Sequence, residues 1–174
     1  MNKTGGFLVK ELEEFEIDEI LEIQKLNNLS YWSLTDYLNF IENKQIVKLV
    51  VKDRNQVIGF AIMRLISLEA DDYLFDKYSA KIPLVEGEIY NIGVHNLYKR
   101  GGIGTLLIKK LIQNRKIQTL KTIWLEVRES NHPAINFYKK NNFKKIHIRK
   151  NYYNNPQEDA IVMKIDLRGP SKPI

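Results

Sequence analysis

The sequence predicts an α/β fold, and three patterns predict it. Residues 88–138 read as strand, glycine turn, helix, strand, helix, a βαβα unit whose two strands run parallel. Residues 46–66 read as two apolar runs joined by the turn Asp53-Arg54-Asn55-Gln56, an antiparallel hairpin. Residues 143–167 read as a second antiparallel pair.

Taken in order, Phe7-Leu8-Val9-Lys10 is a first short strand. From Asp18 to Leu26 apolar residues recur at helical spacing, with Ile17, Leu21 and Ile20 inward and Asp18 as the expected N-cap. Asn27-Asn28 interrupts this pattern, and Ser33 is placed to cap a second helix through Tyr37, Leu38 and Ile41. Between them, Leu29-Ser30-Tyr31-Trp32 is an apolar, aromatic loop. It is either a staple between the helices through Trp32 or the wall of a groove.

Strands follow at 46–52 and 57–66. The connection 67–87 carries Glu69, Asp71 and Asp72 with Tyr73, Phe75 and Tyr78, and is too apolar for a plain linker; a flap or short helix over the sheet is expected. Strand 89–94 leads to the turn 99–105, helix Ile103–Asn114 and strand 122–127. Pro133 suits the first turn of a helix through Tyr138. Phe143 to Lys150 alternates as a strand, 151–158 reads as a loop holding Tyr152 and Tyr153, and 159–167 is the last strand.

The length of 174 residues suits one domain, expected over 1–167, with a disordered tail at 168–174. With 44% hydrophobic and 28% charged residues the chain reads as soluble and globular, and no apolar run is long enough for a membrane span. Residues 1–5 lack the apolar core of a signal peptide, so the cytoplasm is the expected compartment. The absence of cysteine excludes disulfides, thiolate catalysis and thiolate metal sites. His95, His132 and His147 share no ligand spacing, and no metal site is expected. The net charge of +6 is spread among acidic residues, except at Lys139, Lys140, Lys144 and Lys145, where it suits a helix end better than nucleic acid.

The turn Lys99-Arg100-Gly101-Gly102-Ile103-Gly104-Thr105 carries three glycines in four positions. Glycines leave backbone N–H groups unshielded, and the first N–H groups of a helix have no partner within it. Such a turn suits an anion such as phosphate, with Lys99 and Arg100 at its mouth, or is simply a tight strand-to-helix turn. It is neither a P-loop nor a complete G-x-G-x-x-G.

The ordered set of segments is more specific than the turn. Asn91-Ile92-Gly93-Val94, Lys99-Arg100-Gly101-Gly102-Ile103-Gly104, Trp124 to Asn131, Ala134 to Tyr138, Asn142-Phe143, Asn151-Tyr152-Tyr153 and Glu158-Asp159-Ala160 together resemble the GCN5-related N-acetyltransferase superfamily. Within it they look like the RimI-type branch, which acetylates protein N-termini, including that of an alanine-starting ribosomal protein. The first position of the acyl-CoA signature is Lys99 where the family has Gln or Arg.

The resemblance implies a twisted mixed sheet of about seven strands with about four helices. Two splayed parallel strands, here 89–94 and 122–127, would admit acetyl-CoA as co-substrate. Ile92, Gly93 and Val94 would pair with the pantetheine arm, Lys99, Arg100, Gly101, Gly102, Ile103, Gly104 and Thr105 would cradle the pyrophosphate, and Asn131 and Tyr138 would also touch the cofactor. It implies direct attack by the amine, with Glu126 as general base, Tyr138 as general acid and a backbone N–H near Val94 as oxyanion donor. Glu126 is one carboxylate in the apolar run 123–127, and apolar surroundings make a carboxylate more basic. Leu29, Tyr31, Glu88, Asn91, Tyr152 and Tyr153 would meet the peptide, Glu88 standing where some archaeal relatives have a histidine. A lysine or small-amine acetyltransferase, a non-catalytic acyl-CoA sensor and a nucleic-acid binder are the competing readings.

Overall fold

The computed structural model describes residues 6–68, 73–75, 81–114 and 119–167. Nine strands and four α-helices alternate in it: β1 (Leu8–Glu11), α1 (Ile17–Leu26), α2 (Leu34–Glu42), β2 (Ile46–Asp53), β3 (Gln56–Ser67), β4 (Tyr73–Phe75), β5 (Lys81–Pro83), β6 (Val85–Val94), α3 (Ile103–Ile112), β7 (Leu120–Arg128), α4 (His132–Lys140), β8 (Lys144–Asn154) and β9 (Gln157–Asp166). Seven strands form one mixed sheet in the order β1-β2-β3-β6-β7-β9-β8, and β4 pairs only with β5. The chain forms two compact units, one from the residues up to Arg64 with Tyr90–Gln113, the other from Leu65–Ile89 with the residues from Asn114 on.

In the first unit, β1 and β3 flank β2, both antiparallel to it. Helices lie on both faces. A Cβ on Gly59 would meet Ile103 and Leu107 of α3, whereas the next residue of β3, Phe60, faces the other way and packs with Ile17, Ile20 and Ile23 of α1 and Tyr37 of α2. Successive strand side chains point to opposite faces, so one strand serves two cores. The cap of α2 is as expected: Ser33 Oγ accepts from the Asp36 N–H at 3.2 Å, and Asp36 Oδ2 accepts from the Ser33 N–H at 2.7 Å. The start of α1 differs. A single 3-10 turn, Glu14–Glu16, precedes it, so Asp18 lies within the first turn rather than at the cap. Glu16 ends that turn fully buried, with its carboxylate 2.7 Å from Lys52 Nζ and 3.2 Å from Lys10 Nζ. No hydrophobic pattern announces a buried ion cluster.

In the second unit, β6 pairs in parallel with β7 from Val85↔Leu120 to Ile89↔Leu125, and β9 lies antiparallel between β7 and β8. One expectation is narrowed and one corrected here. The described parts of the 67–87 connection hold a short antiparallel ladder, Tyr73↔Pro83 to Phe75↔Lys81, and not a helix; Glu69, Asp71, Asp72 and Tyr78 lie outside the described residues, as do 168–174. Tyr152 and Tyr153 stand in a strand, not a loop. Asn151 takes φ 51°, and the β8–β9 register shifts between Arg149 and Tyr153. That bulge carries β8 past the point where its alternation fails.

Candidate functional site

The glycine turn lies in the first unit. After β6 the chain makes one 3-10 turn, Asn96–Tyr98, and then rises into α3. Arg100 (φ 62°) and Gly102 (φ 84°) both take left-handed backbone, which a glycine adopts freely and an arginine does not. A Cβ on Gly101 would sit 3.2 Å from the Tyr98 carbonyl oxygen, whereas one on Gly102 would meet nothing within 4 Å. Gly102 is the N-cap of α3, no side chain caps it, and the first turn holds no acidic residue. Lys99, Arg100, Gly101 and Gly102 are exposed, and Gly104 and Thr105 half-buried. The Ile103 side chain belongs to the core, which leaves its backbone for a ligand. An uncapped, acid-free helix start beside two cations fits a pyrophosphate, so the residues present suit acetyl-CoA at this end.

The end of β6 is fastened from beneath. Gly93 packs so closely that a Cβ would be 2.7 Å from Phe60, 3.0 Å from Ile23 and 3.1 Å from Leu29. The Val94 carbonyl accepts a hydrogen bond from Asn27 Nδ2 at 3.1 Å. Asn91 is buried, donates from Nδ2 to the Ser30 carbonyl at 3.1 Å and is hydrogen-bonded to Tyr37. Tyr37 donates to Gln24 Oε1 at 2.9 Å, and Gln24 also binds the Trp32 backbone through both its N–H and its carbonyl. Asn91, expected to meet the peptide, is thus engaged in holding the 29–32 loop. Trp32 stacks on Tyr90 with centroids 5.3 Å apart and meets Phe40 edge-on, and its buried indole Nε1 has no hydrogen-bond partner among the described residues. Leu29 packs against the α1–α2 core, and Tyr31 is 83% exposed.

Glu126 and Tyr138, the residues expected to handle protons, lie in the second unit. Glu126 of β7 is paired across the sheet with Val162, and its side chain is only 11% exposed. It is not the lone carboxylate expected from its apolar neighbours. Arg149 Nη1 donates to its Oε1, and the guanidinium lies 4.3 Å over the Tyr152 ring. Tyr152 is itself hydrogen-bonded to Glu126, and this bond, with burial and the carboxylate charge, pushes its hydroxyl up to about 12. Beside it, Arg128 lies 4.1 Å over the Tyr153 ring and binds Glu158 at 3.1 Å and the Asn155 carbonyl at 2.9 Å.

Arg149 is the residue that sequence reasoning missed. Ala160 of β9 pairs with both Arg128 and Arg149, and Val162 pairs with Glu126. All five therefore share one face, and a long arginine reaches across β9 over the small Ala160. The alternation of β8 was the available signal, but only the register brings it to Glu126.

Tyr138 of α4 is buried among Phe137 and Phe143, with ring centroids 5.2 and 5.6 Å away, and burial pushes its hydroxyl well above the usual phenol value. Asn131 is the N-cap of α4: its Oδ1 accepts from the Ala134 N–H at 3.1 Å, and the residue is exposed. Its capping role is therefore present in the protein alone. Glu88 lies half-buried in β6 opposite Trp124. Among the described residues no cluster of three or more His, Asp or Glu could hold a metal ion, and no helix is long and apolar enough to cross a membrane.

Residues 16–143 match the model of the acetyltransferase (GNAT) family. The chain is 32% identical over 159 residues to the [ribosomal protein bS18]-alanine N-acetyltransferase of Haemophilus influenzae, covering 90% of this chain and 96% of that protein. It is 31% identical over 167 residues to the N-alpha-acetyltransferase of Saccharolobus solfataricus, covering 93% and 94%. Its fold is similar to the crystal structure of Arabidopsis thaliana NAA60 in complex with acetyl-CoA, with a TM-score of 0.79 at 19% identity, covering 94% of this chain and 99% of that one.

Proposed function

This chain belongs to the acetyltransferase (GNAT) family, and we propose that it transfers an acetyl group from acetyl-CoA to the free α-amino group of a protein N-terminus. The observation that carries the cofactor assignment is the uncapped, acid-free start of α3 behind Lys99 and Arg100. The choice of an N-terminus is supported by two relatives at 31–32% identity over nine-tenths of the chain, both named for that reaction. A ribosomal protein beginning with alanine is the candidate substrate that the first of them suggests.

The chemistry asks for a neutral amine. An α-amine has a pKa of about 7.7–8.0 and a lysine about 10.4, so at pH 7 deprotonation costs about 1 kcal/mol for the first and about 4–5 kcal/mol for the second. One carboxylate is base enough for the easier case, and Glu126 is assigned that role, directly or through a water. Bound acetyl-CoA supplies the acetyl group as a thioester. The C–N bond forms as the C–S bond breaks, the amine proton passes to Glu126, and Tyr138 is assigned as the donor to the departing sulfur. A buried phenol held far above the thiol value of about 8.5 parts with its proton reluctantly. Its contribution is a hydrogen bond to the developing thiolate more than a completed transfer.

Steady-state kinetics with a free-N-terminal peptide tests these roles. Glu126→Gln should lower kcat by about 10²–10⁴-fold with little change in acetyl-CoA affinity, and unchanged turnover removes Glu126 from the role. Tyr138→Phe should slow the chemical step by about tenfold, and a wild-type rate removes the donor.

A further inference from the structure

Glu126 has its charge matched before any substrate arrives. Arg149 Nη1 is bound to one carboxylate oxygen, the guanidinium lies 4.3 Å over the Tyr152 ring, and the arginine side chain is 50% exposed. Tyr152 adds a second hydrogen bond to the carboxylate. An unmatched carboxylate would hold a peptide N-terminus as α-ammonium, because an opposite charge favours the charged form. That ion pair would bind the substrate well and keep the proton on the nitrogen that must attack. A matched carboxylate still accepts a proton in the transition state but attracts the ammonium less.

We propose that Arg149 is a positioning residue that sets the charge of the amine site, so that the substrate's α-amine is held in its neutral, nucleophilic form. The inference rests on the reading of Glu126 as base. Its surroundings agree with a site balanced by Arg149. Arg128 of β7 is taken up by Glu158 of β9, and Lys150 of β8 by Asp159 of β9 at 2.5 Å. Glu88 of β6 also acts on Arg149, adding to the negative side that the guanidinium offsets. Tyr152, Tyr153 and Tyr138 are all held above the ordinary phenol value and stay uncharged at neutral pH.

The test is the pH dependence of kcat at saturating peptide for wild type, Arg149→Met, Arg149→Gln and Arg149→Lys. Turnover rises with pH as the bound amine loses its proton, and the midpoint reports the amine in its site. Removing the cation should move that midpoint up by about one unit or more, with kcat at pH 7 about tenfold lower and peptide KM unchanged or lower. Arg149→Lys should restore the midpoint. Arg149→Gln keeps a donor without the charge and serves if the Met variant folds poorly. A uniform fall in kcat at every pH with the midpoint in place overturns the proposal and leaves Arg149 a packing residue. A slow Glu126→Gln enzyme beside an unmoved Arg149→Met midpoint sinks this inference alone, whereas wild-type turnover in Glu126→Gln sinks the reading of the base as well.

Discussion

Gly93→Ala is the sharpest structural test, because its effect follows from three distances. The added methyl would lie 2.7 Å from Phe60 Cε1, 3.0 Å from Ile23 Cγ2 and 3.1 Å from Leu29 Cδ1, against a comfortable separation of about 3.5–4.0 Å between carbons. Phe60 is 0% exposed and Ile23 1%, so neither can swing into solvent. Forcing an extra carbon into a filled core costs about 1–3 kcal/mol. For a chain of this length that is about 2–4 °C in Tm per kcal/mol. Urea unfolding would read it as a lower midpoint at constant slope. Phe60→Leu withdraws the nearest obstructing atom, so the double variant should be less destabilised than the sum of the two singles, by about 1 kcal/mol. A Gly93→Ala protein within about 0.5 kcal/mol of wild type, the ordinary range of harmless surface changes, would refute the close packing of β6 on α1.

Glu16→Gln should destabilise by about 3 kcal/mol, because it leaves Lys52 and Lys10 without their buried counter-charge. The sign with pH is fixed. Burial opposes ionisation of Glu16, but hydrogen bonds from Lys52, the Glu13 backbone and Lys10 hold its pKa below the model-peptide value of 4.5. Its contribution is therefore complete above about that value and is lost as pH falls through the lower, folded-state one, which an acid titration of wild type against Glu16→Gln would show. Ser33→Ala should cost about 1 kcal/mol through the α2 cap, measured by the same denaturation. The double change Lys99→Ala, Arg100→Ala should raise the acetyl-CoA KM by about tenfold and spare kcat, since two exposed cations at a helix start bind without taking part in the chemistry. Removing the 3′-phosphate and pyrophosphate charge, with acetyl-pantetheine as donor, should abolish that difference between variant and wild type.

The parts of the molecule that rest on local rules could be read from the chain. The glycine turn into α3 follows from residues that lack a Cβ, the α2 start from Ser33, and the α4 start from Pro133. The parts that depend on register or on buried charge could not. Tyr152 and Tyr153 belong to a strand because a single left-handed Asn151 lets β8 bulge and resume, and period-2 alternation does not survive such a step. Arg149 reaches Glu126 across an intervening strand that comes later in sequence. Glu16 meets Lys52 only through the fold, 36 residues further on. The network that joins Asn91 to Gln24, Tyr37 and Ser30 involves two helices and a loop, which no local pattern connects.

The measurement closest to the central claim is a mass-spectrometric acetyl-transfer assay on a peptide panel. Peptides beginning with free Ala, Ser, Met or Glu would be compared with an N-blocked peptide carrying an internal lysine. The account expects acetylation confined to the free α-amines. Acetylation of the internal lysine alone, or no product despite measurable acetyl-CoA binding, would contradict it.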